Sequence, residues 1–184
     1  CEFTGCGVGV SNEPKPHGGV VHVYESLFRN SREADFTIFH AGFFGLRHNT
    51  SIGSRRFFHA KNNGANGAII TLQGNTIIDP IEHDALVFET IGNINLMDNT
   101  ILSRADATGP VVRGELGVPV SLSAFNNTFS VAQPFQVKGQ LVETGTKVVA
   151  RGKVRLAVPV LPGPPPRAPG PIFPVDAGAN AEGI

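Results

Sequence analysis

An asparagine followed by serine or threonine recurs five times in this chain, each time three residues after an apolar residue. Successive copies lie 19, 26, 24 and 28 residues apart. A repeat near this length, with one supersecondary unit per copy, is typical of a solenoid. The repeat therefore constrains the fold before any single residue is considered. The asparagines are Asn30, Asn49, Asn75, Asn99 and Asn127.

Alignment of the copies on the asparagine shows apolar residues three positions before it in every copy and five positions before it in four of the five. Alternation of this kind predicts a strand with one face inward. Ile77, Ile101 and Phe129 follow the asparagine by two positions and open a second strand. The asparagine should stand at the corner between the strands, where it tolerates a left-handed backbone. Stacked at successive corners, the amides should form a ladder.

The pattern apolar-x-x-Asn-Thr-x-apolar, with glycine-rich approaches such as residues 67–72, resembles the right-handed parallel β-helix repeats of the pectin-lyase-like superfamily. It is also similar to repeats of bacterial surface and autotransporter passenger proteins. The resemblance covers about residues 20–131 and implies an all-β fold, a right-handed parallel β-helix of about five or six coils. An antiparallel sandwich also has short strands at regular spacing, but it gives no reason for the recurring Asn-Thr.

Composition divides the chain into three segments. Residues 1–19 are a Gly/Pro-rich loop, and residues 20–158 form the β-helix. Within the β-helix, residues 132–158 lose the asparagine motif, and residues 140–150, with a turn signal at Thr144-Gly145, form either a hairpin or two further edges of the solenoid. Eight of the 14 prolines fall in residues 159–174. Because proline lacks the backbone donor of a helix or an interior strand, residues 159–184 are expected to be an extended tail.

The charge balance and the cysteines limit which partners and which cellular location the chain can have. Lys+Arg and Asp+Glu both number 15, so no net field attracts nucleic acid. No apolar run reaches the length of about 18 residues that spans a bilayer. Cys1 and Cys6 are expected to close a small disulfide loop, or Cys1 carries a lipid anchor, which would exclude the bridge. Both alternatives place the protein outside the cytoplasm.

The sequence predicts no catalytic residue and no cofactor, with calcium as the weak exception. Asp79, Glu82 and Asp84 supply carboxylates to one segment, which calcium favours, although such residues more often form a solvated loop. The arginine motif of the superfamily's lyases and the aspartate motifs of its hydrolases are absent, so the resemblance implies no activity. Tyr24 is the only Tyr and Trp is absent, which weakens a sugar-binding function. Interior stacks explain the phenylalanines better, above all Phe39, Phe43, Phe44, Phe88 and Phe129.

The expected function is that of an exported structural protein whose β-helix stacks head to tail into an extracellular filament or surface layer. Partners would then be copies of the chain itself. Two alternatives are a small polysaccharide lyase or hydrolase of the superfamily and a trimeric adhesin or tail-fibre module. The residues expected at the contacts between copies are Val20, Val21 and Val23 at one end, Val154, Leu156 and Val158 at the other, and Val160, Leu161, Ile172 and Phe173 in the tail.

Overall fold

Short strands rich in β-branched and large apolar residues recur along the chain, as the repeat predicts. The structure is a computed structural model that describes residues 1–12, 19–40, 42–61, 67–89, 92–115 and 120–154. Its regular elements are nineteen strands and one 3-10 turn, Arg151–Lys153. In chain order the strands are β1 (Glu2–Thr4), β2 (Val8–Ser11), β3 (Gly19–Tyr24), β4 (Leu27–Arg29), β5 (Ala34–Ile38), β6 (Gly42–Arg47), β7 (Thr50–Ile52), β8 (Phe58–Ala60), β9 (Ala68–Gln73), β10 (Thr76–Ile78), β11 (Leu86–Phe88), β12 (Gly92–Met97), β13 (Thr100–Leu102), β14 (Val112–Gly114), β15 (Val120–Phe125), β16 (Thr128–Phe129), β17 (Phe135–Gln136), β18 (Gly139–Thr144) and β19 (Lys147–Val148).

Every third strand belongs to the same sheet, so the chain winds through three parallel sheets in turn. Sheet 1 has the order β1-β4-β7-β10-β13-β16-β19, sheet 2 runs from β2 to β17, and sheet 3 has the order β3-β6-β9-β12-β15-β18. All pairings are parallel. The result is a β-solenoid of about five turns, which confirms the predicted fold class. Because every strand of sheet 3 has six residues, this sheet presents the longest strand edges.

The interior consists of files of stacked side chains, one residue per turn. In sheet 3 one file passes through Phe44, Ile70, Ile94 and Leu122, each at most 3% exposed. Sheets 1 and 2 add phenylalanines whose rings pack against one another, either stacked or edge to face. The rings of Phe3 and Phe28 lie 4.7 Å apart, as do those of Phe28 and Phe36. Burial of these files is the main stabilising contribution, because each turn covers the apolar residues of the next.

Two sequence-based expectations are resolved by the strand register. Residues 140–150 do not form a hairpin: β18 and β19 each pair in parallel with the strand one turn earlier, as β17 does, so this segment extends the solenoid. The prediction that Phe43 is interior was wrong, because Phe43 is 56% exposed on the outer face of sheet 3, one residue out of phase with buried Phe44. The predicted extended tail, residues 159–184, lies outside the part of the chain that the structure describes.

Candidate functional site

Four asparagines form one hydrogen-bonded file at the corner between sheets 3 and 1. Asn49 Nδ2 donates to Asn75 Oδ1 at 3.1 Å, Asn75 Nδ2 to Asn99 Oδ1 at 3.0 Å, and Asn99 Nδ2 to Asn127 Oδ1 at 3.0 Å. The same Nδ2 atoms donate to the carbonyl oxygen of a strand residue one turn earlier, as Asn99 does to Leu72 at 2.8 Å. All four side chains are at most 3% exposed. Their polar atoms are satisfied inside the wall, so the file stabilises the corner.

Asn30 does not belong to this file, contrary to the prediction. Leu27 pairs with Thr50, so the residue opposite Asn49 is Ser26, whose N–H donates to Asn49 Oδ1 at 3.0 Å. Asn30 lies at the next corner, after sheet 1, where its φ is 54°. There the Asn30 side chain lies over Gly53 of the next turn: a Cβ added to Gly53 would be only 2.7 Å from Asn30 Oδ1. The first copy of the motif is therefore shifted by one strand.

The left-handed residue at the asparagine corner is the one before each ladder position, not the asparagine itself. These residues have φ between 48° and 71°. The asparagine is thus retained for its hydrogen bonds, while the preceding residue makes the bend. The prediction assigned both roles to one residue. The six left-handed residues are Glu25, His48, Gly74, Asp98, Asn126 and Gly145.

Each of the three candidate calcium ligands is engaged by arginine. The pairs are Asp79 with Arg151, Glu82 with Arg55 (2.8 Å), and Asp84 with both Arg56 (3.0 Å) and Arg113 (2.8 Å). Within the described ranges, no three His, Cys, Asp or Glu side chains converge as a metal site. The carboxylates point at separate guanidinium groups because stacking brings arginines from other turns beside them. They form ion pairs on the outer surface of the solenoid, and calcium binding by these carboxylates stays a prediction.

A shallow groove of about 400 Å³ lies on the outer face of sheet 2. Its basic lining residues include Arg56, His59 and Lys61. Arg56 is paired with Asp84, and His59 Nε2 lies 2.9 Å from Glu89 Oε1. Carboxylates outside the groove therefore already bind Arg56 and His59, while the Lys61 ammonium lies over the Phe39 ring, 5.1 Å from its centroid.

A buried carboxyl that sequence reasoning missed lies inside the second turn. Asp35 is fully buried, and its Oδ2 accepts a hydrogen bond from Ser51 Oγ. Ser31 and Ser54 are also buried beside it. Burial raises the pKa of Asp35 from 3.8 to about 6, while the neighbouring hydroxyls of Ser51, Ser54 and Ser31 act in the opposite direction; of the three, Ser51 makes the hydrogen bond. Oδ1 of Asp35 and Oγ of Ser31 have no hydrogen-bond partner.

The last turn, formed by β17, β18 and β19 and here called the open turn, leaves interior files uncovered. Leu122 is 1% exposed, but Leu141, its partner one turn later, is 38% exposed. Phe129 is 0% exposed, but Val148 beneath it is 54% exposed. All six residues of β18 are exposed. An apolar interior therefore emerges at this end of the described solenoid.

The chain leaves the open turn toward the side of the solenoid. Arg151 forms two hydrogen bonds with the Asp79 carboxylate, one of them 2.5 Å from Nη2 to Oδ2. Its Nη1 also donates to the carbonyl oxygen of Ser103 at 3.1 Å. Asp79 directly follows β10, which lies three strands before β19 in sheet 1. Ser103 directly follows β13, which lies two strands before β19. Residues 151–153 are thus held against the wall and do not cover the open turn.

The predicted bridge between Cys1 and Cys6 is not formed, and both thiols are free. The backbone carbonyl of Cys1 accepts a hydrogen bond from Leu27, at the start of β4, and that of Cys6 accepts one from Arg32, three residues after the end of β4. Strand β1 pairs with β4 between these two points.

The structure describes four of the residues expected at contacts between copies. Val20 is 65% exposed on the outer face of β3, in one register file with Phe43 (56%) and Ile69 (40%). Val21 and Val23 face the interior and are half-buried, and Val154 is also half-buried. The other six expected contacts lie outside the described residues: Leu156, Val158, Val160, Leu161, Ile172 and Phe173.

The fold and the buried asparagine file define the chain as a parallel β-solenoid protein. No protein-family model, no curated protein and no solved structure matches it. The described ranges contain no helix with the length and hydropathy needed to span a membrane.

Proposed function

We propose that the chain is an exported structural protein whose solenoids stack end to end into an extracellular filament or surface layer. The open turn carries this proposal. It presents unpaired strand edges and an uncovered apolar interior, and edges of this kind recruit further strands unless they are covered. A second copy has the same three-sheet cross-section, so it can continue all three sheets. A head-to-tail contact of this type does not close on itself and builds a filament.

The path of the chain after β19 favours a second copy as the cover. The Arg151–Asp79 pair and the bond to Ser103 direct residues 151–153 along the wall. Residues 151–153, which directly follow the open turn, therefore leave it accessible.

The proposal includes the relationship of the chain to known β-helix proteins and its attachment to a membrane. The asparagine file at a strand corner supports a relationship to the pectin-lyase-like superfamily or to the repeats of surface and autotransporter passenger proteins. Cys1 is exposed with a free thiol, which supports a lipid anchor at that residue. Mass spectrometry of the protein from its native membrane fraction tests the anchor: an unmodified Cys1 would contradict it.

The experiment for the assembly is sedimentation velocity of the purified chain over a wide concentration range, in neutral and in acetate buffer, with negative-stain images of the same samples. We expect species that grow with concentration and appear as rods of constant width. A single monomeric species under all these conditions would refute the function.

A second candidate is lateral association, as in a trimeric fibre module. The exposed file of Val20, Phe43 and Ile69 on sheet 3 favours it, because adjacent apolar residues on a flat sheet mark contact surfaces. It predicts a closed oligomer of fixed mass that Phe43→Ser dissociates, whereas end-to-end stacking predicts open-ended growth that Phe43→Ser leaves unchanged.

A further inference from the structure

A carboxylate occupies an interior position of the open turn. Along sheet 3, one inward-facing file passes through Val23, Leu46, Leu72, Leu96 and Ala124 and ends at Glu143. The four members between Val23 and Glu143 are at most 1% exposed. Glu143 is exposed because β18 is the last strand of sheet 3 among the described residues. Continuation of the sheet would therefore bury its side chain at the core position of the next turn.

No described residue neutralises this charge. Glu143 makes no ion pair in the part of the chain that the structure describes. The strand packed against it, β15, carries no titratable side chain. The nearest cations along the chain, Lys138 and Lys147, flank β18 and are both exposed. An inward-pointing charge on an edge strand is one of the ways in which proteins prevent sheets from adding strands.

Strand β3 of a second copy, as far as the described residues go, offers no cation at this position. The corresponding files in sheet 3 begin at Val21 and Val23 of β3. If a second copy continues these files, Val21 falls beside Leu141 and Val23 falls beside Glu143. The first contact is apolar on both sides, while the second places a carboxylate against an aliphatic side chain. Burial of an unpaired charge is strongly unfavourable, so one residue opposes the contact that its neighbour favours.

We propose that Glu143 is a gate on end-to-end association: while it is charged and unpaired, it keeps a second copy from extending sheet 3 at the open turn. This inference rests on the proposed function and adds its regulation. Neutralisation of Glu143, or a cation brought beside it, opens the edge.

The test compares the concentration at which assembly begins for four proteins in neutral buffer: wild type, Glu143→Gln, Glu143→Leu and the control Gln140→Leu. Gln140 is exposed on the outer face of the same strand, so its replacement adds the same apolar side chain without touching the interior file. Circular dichroism and thermal unfolding establish that each variant is folded. Should the leucine variant fail to fold, the glutamine variant still removes the charge.

We expect both Glu143 variants to assemble at a concentration about tenfold or more below that of the wild type, which corresponds to about 1.4 kcal/mol or more. Gln140→Leu should behave as the wild type. If the Glu143 variants and the wild type assemble alike, or if Gln140→Leu assembles as readily as Glu143→Leu, the gate is refuted while self-assembly stands. If no variant assembles at any concentration, self-assembly itself is refuted, and the gate with it.

Discussion

Replacement of Asp35 by asparagine should stabilise the solenoid at neutral pH. The Asp35 carboxyl is fully buried and accepts one hydrogen bond from Ser51, and its Oδ1 is unpartnered. Asparagine has nearly the same shape, keeps an acceptor for Ser51 and supplies an N–H donor. Ser31 Oγ, which has no partner, is a candidate acceptor for that donor. The substitution therefore removes a buried charge without opening a cavity.

The magnitude follows from the pKa of Asp35, which burial raises from 3.8 to about 6. At about 1.4 kcal/mol per pKa unit, the charged carboxyl lowers the free energy of unfolding by roughly 3 kcal/mol at pH 7. Because the new amide does not reproduce the carboxyl geometry, we expect a gain of about 1–3 kcal/mol. For a chain of this length, each kcal/mol raises the melting temperature by about 2–4 °C.

The sign of the pH dependence distinguishes this explanation from a general packing effect. The folded state binds the Asp35 proton more tightly than the unfolded state does. The contribution of Asp35 to stability is therefore fully present below pH 3.8, is lost as the pH rises to about 6, and stays lost above that. The advantage of Asp35→Asn over the wild type should accordingly be largest above pH 6 and vanish near pH 3.8.

The assay is urea unfolding followed by far-ultraviolet circular dichroism at a series of pH values, with Asp106→Asn as the matched control. The Asp106 side chain is 77% exposed, so loss of its charge should change the stability by less than about 0.5 kcal/mol. If Asp35→Asn is no more stable than the wild type at neutral pH, or if its advantage does not shrink in acid, the desolvation argument is wrong.

Three further predictions concern the asparagine file, a glycine at its corner and the carboxylates on the outer surface. Asn99→Ala should destabilise the chain by about 3 kcal/mol or more, because it removes the acceptor of the Asn75 backbone N–H, one of the two acceptors of Asn75 Nδ2 and the side-chain donor to the Leu72 carbonyl. Urea unfolding beside the exposed control Asn93→Ala measures this, and equal losses would contradict a structural role for the file. Gly74→Ala should lower the free energy of unfolding by about 1–2 kcal/mol, because the φ of Gly74 is 62° and the new Cβ would lie 2.5 Å from Nδ1 of His48. Thermal unfolding measures this, and the control Gly152→Ala, which has open space around the new Cβ, should leave the melting temperature unchanged. Neither calcium nor a chelator should shift the melting temperature, because arginines occupy the carboxylates of Asp79, Glu82 and Asp84; a clear rise with calcium would show that the ion displaces them.

The sequence was sufficient to predict the solenoid and four members of the asparagine file, because repetition makes one local rule visible several times. The misplacement of Asn30 shows where the rule fails. Residues 27–31 imitate the motif one strand later than the true corner, which Ser26 occupies. Two signals marked the error: Glu25 stands at a position that is apolar in every other copy, and the 19-residue interval was the shortest. The structural interval from Ser26 to Asn49 is 23 residues.

The ion pairs and the buried carboxyl were not predictable in the same way. Arg55 and Glu82 are 27 residues apart, and Arg56 and Asp84 are 28 apart. Their pairing depends on the loop lengths between strands, which vary from turn to turn. Asp35 lies in the short segment of residues 34–38, where an alternating pattern would place it outside. In the structure every residue of β5 is buried, so alternation along this strand does not separate an inner from an outer face.

The asparagine file gives the solenoid an electrical direction. Within the file, the three bonds from Nδ2 to the Oδ1 of the next asparagine all point toward the C-terminal turns, whereas backbone bonds between neighbouring strands point both ways, as Asn30 N–H to Ile52 and Thr50 N–H to Ser26 illustrate. Aligned amide dipoles add, and each bond polarises the next. The file is therefore negative toward Asn49 and positive toward Asn127. Copies joined head to tail would place these dipoles in series, whereas antiparallel copies would cancel them.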